Sequence, residues 1–124
     1  MTDFLVQVNE YSFPATWTGE NPGIRDALLE AMPIGGEAAR WGDELYISTT
    51  LEIEPTVTKT TVSAGSLAYW PAGPAICLFW GPTPASTDAT PKAASPVAVF
   101  AEVTELSPLQ DISGGAEMTL TQPR

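Results

Sequence analysis

Apolar residues in this chain recur mostly at period two, in short runs bounded by Pro and Gly, the pattern of half-buried strands. Asp3–Val8 predicts a first strand, Asn9-Glu10 a tight turn, and Tyr11–Trp17 a second strand. Pro14 lacks a donor, so it places that strand at an edge or marks a bulge. The period then changes. Ile24, Leu28, Ala31 and Met32 fall at i, i+4, i+7 and i+8, one apolar stripe of a helix over Asn21–Met32. Asn21 suits its N-cap and Pro22 its first position, while Pro33 and Gly35-Gly36 are expected to stop it. This helix is expected to plug or cover a sheet.

Period two returns afterwards. Glu37–Trp41 and Glu44–Thr49 predict either two strands around a Trp-Gly-Asp-Glu turn or one strand broken at a glycine bulge. Leu45, Ile47, Thr49, Leu51 and Ile53 share one face of that run. Glu52 and Glu54 share the other, and Pro55 ends it. Thr56–Val62 reads as an exposed strand or extended loop. Leu67–Trp70 and Ala75–Trp80 read as two core strands joined through Pro71-Ala72-Gly73-Pro74. Pro82–Pro96 carries little apolar content and predicts a functional or mobile loop. In the next strand, Pro96–Val103, the alternation puts Val97, Val99, Ala101 and Val103 on one face and Ala98, Phe100 and Glu102 on the other. Ser107–Ser113 predicts a short helical turn, and Glu117–Thr121 a last strand with Met118 and Leu120 inward. About eight short strands with one helix read as a mainly β fold in a single domain over 1–124. A closed barrel is favoured because closure removes unprotected edges.

Composition narrows the chemistry. Fifteen acidic residues stand against five basic ones, a formal charge of −10, and only Lys59 and Lys92 are lysines. Without a basic stripe, nucleic acid and anionic membrane are poor partners. Lysine-poor acidity scattered among many Ala and Thr resembles proteins of salt-loving archaea; the alternative is simply an acidic soluble protein. No apolar run approaches the ~20 residues of a membrane helix, and the start lacks a secretory pattern, so a cytoplasmic protein is expected. There is no histidine, which excludes Ser-His-Asp and Cys-His catalysis. Ser48, Thr49, Thr83 and Ser86 therefore lack an activating base of that type. With one cysteine, the usual zinc sites are absent too, and neither metal nor cofactor is expected. Cys77, mid-strand between Ile76 and Leu78, is expected to be buried and inert.

Two segments carry a resemblance. Trp41–Thr49 reads WGDELYIST, and Tyr69–Ser86 reads YWPAGPAICLFWGPTPAS. Together with the strand from Pro96 they are similar to the small prokaryotic cyclophilin-like family of uncharacterised proteins, over most of the chain from the helix onward. The resemblance implies a cyclophilin-type β-barrel of about eight strands with helices at its ends, and no established activity. Prolyl isomerases of that fold use an arginine beside aromatic pocket residues. Here Arg25 lies on the helix and Arg124 is the last residue, leaving Arg40, whose segment lacks their Arg-Phe-His pattern.

The candidate ligand-binding residues are Arg40, Trp41, Asp43, Glu44, Tyr69, Trp70, Phe79 and Trp80. Aromatic rings with polar edges suit a concave site. Alternation divides them, because Tyr69 and Trp70 cannot both face inward, nor can Phe79 and Trp80. About half should thus lie outside the lumen. By the same rule Asp43 and Glu44 point apart and form no acid–base pair; one could pair with Arg40 or cap backbone N–H groups. The leading expectation is a non-enzymatic binder of a small molecule or short peptide through an aromatic-lined site. The alternatives are a weak prolyl isomerase using Arg40 with Trp41 or Phe79, and a homodimer formed through an exposed face carrying Trp80 or Phe100.

Overall fold

The computed structural model describes residues 2–122, so Arg124 lies outside the described residues. In chain order the elements are β1 (Phe4–Val8), β2 (Tyr11–Trp17), α1 (Pro22–Ala31), β3 (Ile34–Arg40), β4 (Glu44–Ser48) and β5 (Lys59–Thr61). They continue with β6 (Ser66–Trp70), β7 (Ala75–Phe79), β8 (Lys92–Val103), a 3₁₀ turn (Ser107–Asp111) and β9 (Ala116–Thr121). Neighbours run antiparallel in the order β2-β1-β9-β3-β4-β7-β6-β8. Pairing of Ala15–Trp17 with Ala101–Val103 then joins β2 to β8 and closes a ring of eight strands. Pro14 lies just outside that closing ladder, where the missing N–H has no β8 partner to lose. The ninth strand, β5, pairs with the outer end of β8.

Alternation fills the ring. Val6, Val8, Phe13, Leu45, Ile47, Leu67, Ile76, Leu78, Met118 and Leu120 all lie in one interior core. Ile24 and Leu28 of α1 join it and are fully buried, while Ala31 and Met32 are half-buried. Asn21 and Met32 are the caps of α1. The Asn21 side chain makes no capping bond. Its Nδ2 instead donates to Val57 O (3.0 Å) and Val99 O (2.9 Å), and its Oδ1 accepts from Thr56 N (2.7 Å) and Val57 N (2.9 Å). A carboxamide has two donors and two acceptor sites, so every one is used to fasten the 49–58 connection to β8.

Several boundaries differ from the expectation, each for a local reason. Gly35-Gly36 do not end the helix; they lie inside β3. A Cβ on Gly35 would stand 2.6 Å from Thr119 Oγ1 and 2.9 Å from Met118 O, so glycine lets β3 press against β9. The β4 run ends at Ser48, and Leu51 and Ile53 reach the core from an irregular segment. The Tyr69 hydroxyl holds that segment, donating to Leu51 O (2.7 Å) and accepting from Ile53 N (3.2 Å). Strand β8 begins at Lys92, inside the stretch expected to be loop. Pro96 is accommodated because the β5–β8 register slips between Lys59↔Val97 and Thr61↔Lys92. A second irregularity lies between Leu67↔Ala101 and Ala68↔Val99, which leaves Phe100 as an extra residue. That bulge reverses the alternation. Ala98, Phe100, Ala101 and Val103 all reach the interior core, whereas Val97 and Val99 pack outside. Phe100 is thus fully buried and Trp80 only 5% exposed, so neither offers the dimer face considered above.

Candidate functional site

The outward side chains of one stretch of wall form a second, smaller cluster. It contains Ala68 on β6, Ala75, Cys77 and Phe79 on β7, and Val97 and Val99 on β8, with Val62 and Ala93 closing over it. Tyr46 and Trp70 pack half-buried at its margin. Between this wall and the incoming end of β8 lies a cavity of about 240 Å³. Trp41, Glu44, Tyr46, Trp70, Cys77 and Phe79 line it, with Ala93, Ala94 and Val97 from β8. Strand register builds the lining directly. Glu44 stands opposite Phe79 and Tyr46 opposite Cys77, so two residues from each strand meet on the same outer face. Trp70 approaches from β6, and its indole N–H donates to the Ser95 hydroxyl on β8.

The Trp41–Glu44 turn sets the mouth. Trp41 N donates to Glu44 O (2.9 Å), Asp43 N to Pro82 O (3.0 Å), and Trp80 N to Asp43 O (2.9 Å). Gly42 has φ +62°, and a Cβ there would lie 2.8 Å from Thr83 Cα and 2.9 Å from Pro84 Cδ. Glycine therefore serves both the turn and the close approach of the 82–84 segment. Thr83 and Ser86 hold that segment in turn. Thr83 N donates to Ser86 Oγ (2.9 Å), Ser86 Oγ to Thr90 O (2.8 Å), and Thr83 Oγ1 to Lys92 O.

Glu44 is the polar centre of this apolar site. It is only 5% exposed, and burial pushes its pKa up to about 7. A hydrogen bond from the Cys77 thiol acts against that rise without cancelling it. Burial, the neighbouring carboxylate and this same hydrogen bond push the Cys77 thiol well up. A protonated thiol that is 1% exposed is a donor and not a nucleophile. The site can thus hold one exchangeable proton near neutrality among aromatic rings.

The eight candidate residues separate into three groups. Trp41, Glu44, Trp70 and Phe79 come together around the cavity. Tyr69 and Trp80 belong to the interior core. Arg40 and Asp43 form an ion pair (3.0 Å) away from the cavity. Arg40 also donates to Gly42 O (2.8 Å), Gln110 O (3.1 Å) and Ile112 O (2.8 Å), and lies 5.1 Å from the Trp80 ring centroid. Its guanidinium is occupied in tying the turn to the 3₁₀ segment. Sequence reasoning missed Tyr46, Ala93, Ala94 and Val97, and set Cys77 aside. Tyr46 is two residues from Glu44 and Cys77 two from Phe79, so alternation was the signal for both. Ala93 and Ala94 lie between Pro91 and Pro96, in the stretch that reads as loop, and Val97 falls on the strand expected from Pro96, where alternation gives it a face but no partner across the wall.

A family model described as cyclophilin-like matches residues 3–121. The fold is similar to the solution structure of a hypothetical protein from Archaeoglobus fulgidus, with a TM-score of 0.79 and 30% sequence identity. That likeness covers 98% of this chain and 95% of the archaeal one. No curated protein matches the chain.

Proposed function

This chain belongs to the cyclophilin-like family, and from that premise we propose that it is a binding protein for a small molecule. The observation that carries this reading is the aromatic cavity of about 240 Å³ on the outer wall, with one buried carboxyl inside it. An apolar cavity of ~150 Å³ accepts a benzene-sized ring, so the site has room for a ligand modestly larger than one ring. Its mix of apolar lining and a single polar centre is that of a small-molecule site. A short peptide is the less favoured occupant, because the Trp70–Ser95 hydrogen bond ties β8 across the wall beside the cavity. The isomerase alternative depends on Arg40, whose donors are already engaged by four groups of the protein itself.

Thermal shift and tryptophan fluorescence across a panel of small metabolites and proline peptides test the reading. A ligand at a hundredfold excess over its Kd should stabilise the fold by about 2.7 kcal/mol. An Ala94→Trp substitution, at an exposed position lining the cavity, should plug the site and abolish the response with the fold intact. No response to any compound, or a response that survives the plug, would overturn it.

A further inference from the structure

We propose that the ligand of this cavity is a small organic cation, with an ammonium group placed against the Glu44 carboxylate and faced by Trp41, Tyr46, Trp70 and Phe79. The inference rests on the binding reading above and specifies the class of ligand. Three observations carry it.

The first is the absence of a counter-ion. Glu44 is 95% buried, yet none of the ion pairs among the described residues includes it. The neighbouring Arg40 is held by Asp43, by three carbonyls and by the Trp80 ring. A buried carboxylate without a cation is costly, and a ligand carrying positive charge removes that cost. The second is the company it keeps. Four aromatic side chains line the same cavity. Their ring faces are negative, so they attract an ammonium group more strongly once it leaves water. A neutral apolar ligand would use the rings and leave the carboxyl unexplained; an anion would be repelled by it. The third is the field of the whole molecule. A formal charge of −10 raises the local concentration of cations around the protein and lowers that of anions.

The proton on Glu44 supplies an independent readout. The titratable groups that share the cavity with it are Tyr46 on its own strand and Cys77 on β7; the β8 side contributes only Ala93, Ala94 and Val97. A cation binds the ionised carboxylate, so it must displace the proton that Glu44 holds below about pH 7. For a ligand whose own charge does not change with pH, affinity should therefore be about tenfold weaker at pH 6 than at pH 8 and level off above.

The test uses choline and its neutral isostere 3,3-dimethylbutan-1-ol as probes, followed by calorimetry and by backbone chemical shifts. The expected result is choline binding at least tenfold tighter than the isostere, a loss of that preference in Glu44→Gln, and proton uptake by the buffer on binding at pH 6. Ala94→Trp should block both probes. Equal affinity for the two would overturn the cation inference and leave the binding reading standing. So would choline binding that Glu44→Gln retains, because that is counter-ion attraction to an acidic surface. Failure of both probes at millimolar concentration also overturns the cation inference. The metabolite panel and its plugged variant then decide the binding reading separately.

Discussion

Leu78 and Cys77 are neighbours on β7 and enter different environments. Leu78 points into the ring, where Leu45, Leu67, Ile76 and their neighbours are fully buried against one another. Cys77 points out, into a smaller cluster that borders a cavity. Both side chains are buried, so burial alone does not distinguish the two layers. Packing does. Interior side chains interlock on all sides, and deleting one leaves a void that the closed ring cannot collapse around. The outer cluster already contains unfilled space and rests on one wall. The ring thus holds the structure, and the outer layer is free to hold a site. The largest expected effect tests this division directly. Leu78→Ala should lower unfolding free energy by about 2–5 kcal/mol, and Cys77→Ala by about 1 kcal/mol or less, near the value of a single buried methylene. Urea denaturation of both variants measures the difference. Equal losses would mean that the two layers form one core.

The layers also differ in their polar content, and here pH is the lever. Glu44 has its folded pKa raised to about 7 from 4.5. Below pH 4.5 the carboxyl is protonated in both folded and unfolded chains, so its burial carries no ionic penalty. As pH rises from 4.5 to 7 the unfolded chain loses the proton first, and stability falls. Above 7 both states are ionised and the loss is complete, on the order of 3 kcal/mol. Glu44→Gln removes the ionisation and nearly keeps the shape. The variant should therefore be more stable than the parent by about that amount at pH 8, with the difference shrinking to nothing near pH 4.5. Comparing the two proteins at each pH cancels the general self-repulsion of the acidic surface. A constant difference across that window would place the carboxyl in water and outside the cavity.

How much of this was readable beforehand follows the same inner and outer division. The ring was legible because period two is a direct consequence of strand geometry, and Met118, Leu120, Leu45 and Ile47 obey it. The helix was legible because Asn21-Pro22 and the Ile24–Leu28 spacing are local signals. The β8 strand was misread where local signals oppose the tertiary result. Pro96 marks a loop in sequence, yet a register slip against β5 admits it. Phe100 and Ala101 both face inward because of a bulge that no composition announces. For the site, alternation correctly separated Trp70 from Tyr69 and Phe79 from Trp80. It gave no means of deciding which group lined a cavity, since that depends on the distant 91–97 segment folding over the wall. The role of Asn21 was hidden for the same reason. Its partners are Thr56, Val57 and Val99, far along the chain.

The smallest expected effect concerns a polar group left alone inside the ring. Among the described residues, the Trp80 indole N–H is the buried side-chain polar atom without a hydrogen-bond partner. An unsatisfied buried donor costs about 1–3 kcal/mol. Replacing Trp80 with Phe removes that donor, and it also removes part of the ring that packs in the core and stacks with Arg40. The two contributions oppose each other, so Trp80→Phe should stay within about 1 kcal/mol of the parent. Trp80→Ala, which loses the ring and gains nothing comparable, should cost about 3–5 kcal/mol. The contrast with Glu44 is what the pair of variants sharpens. Trp80 belongs to the interior core and does not line the outer cavity, so ligands that occupy the outer site should not change the stability gap between Trp80→Phe and the parent. Denaturation with and without choline reads this out. A gap that widens by more than about 1 kcal/mol when choline is present would show the two faces of the wall to be coupled through β7.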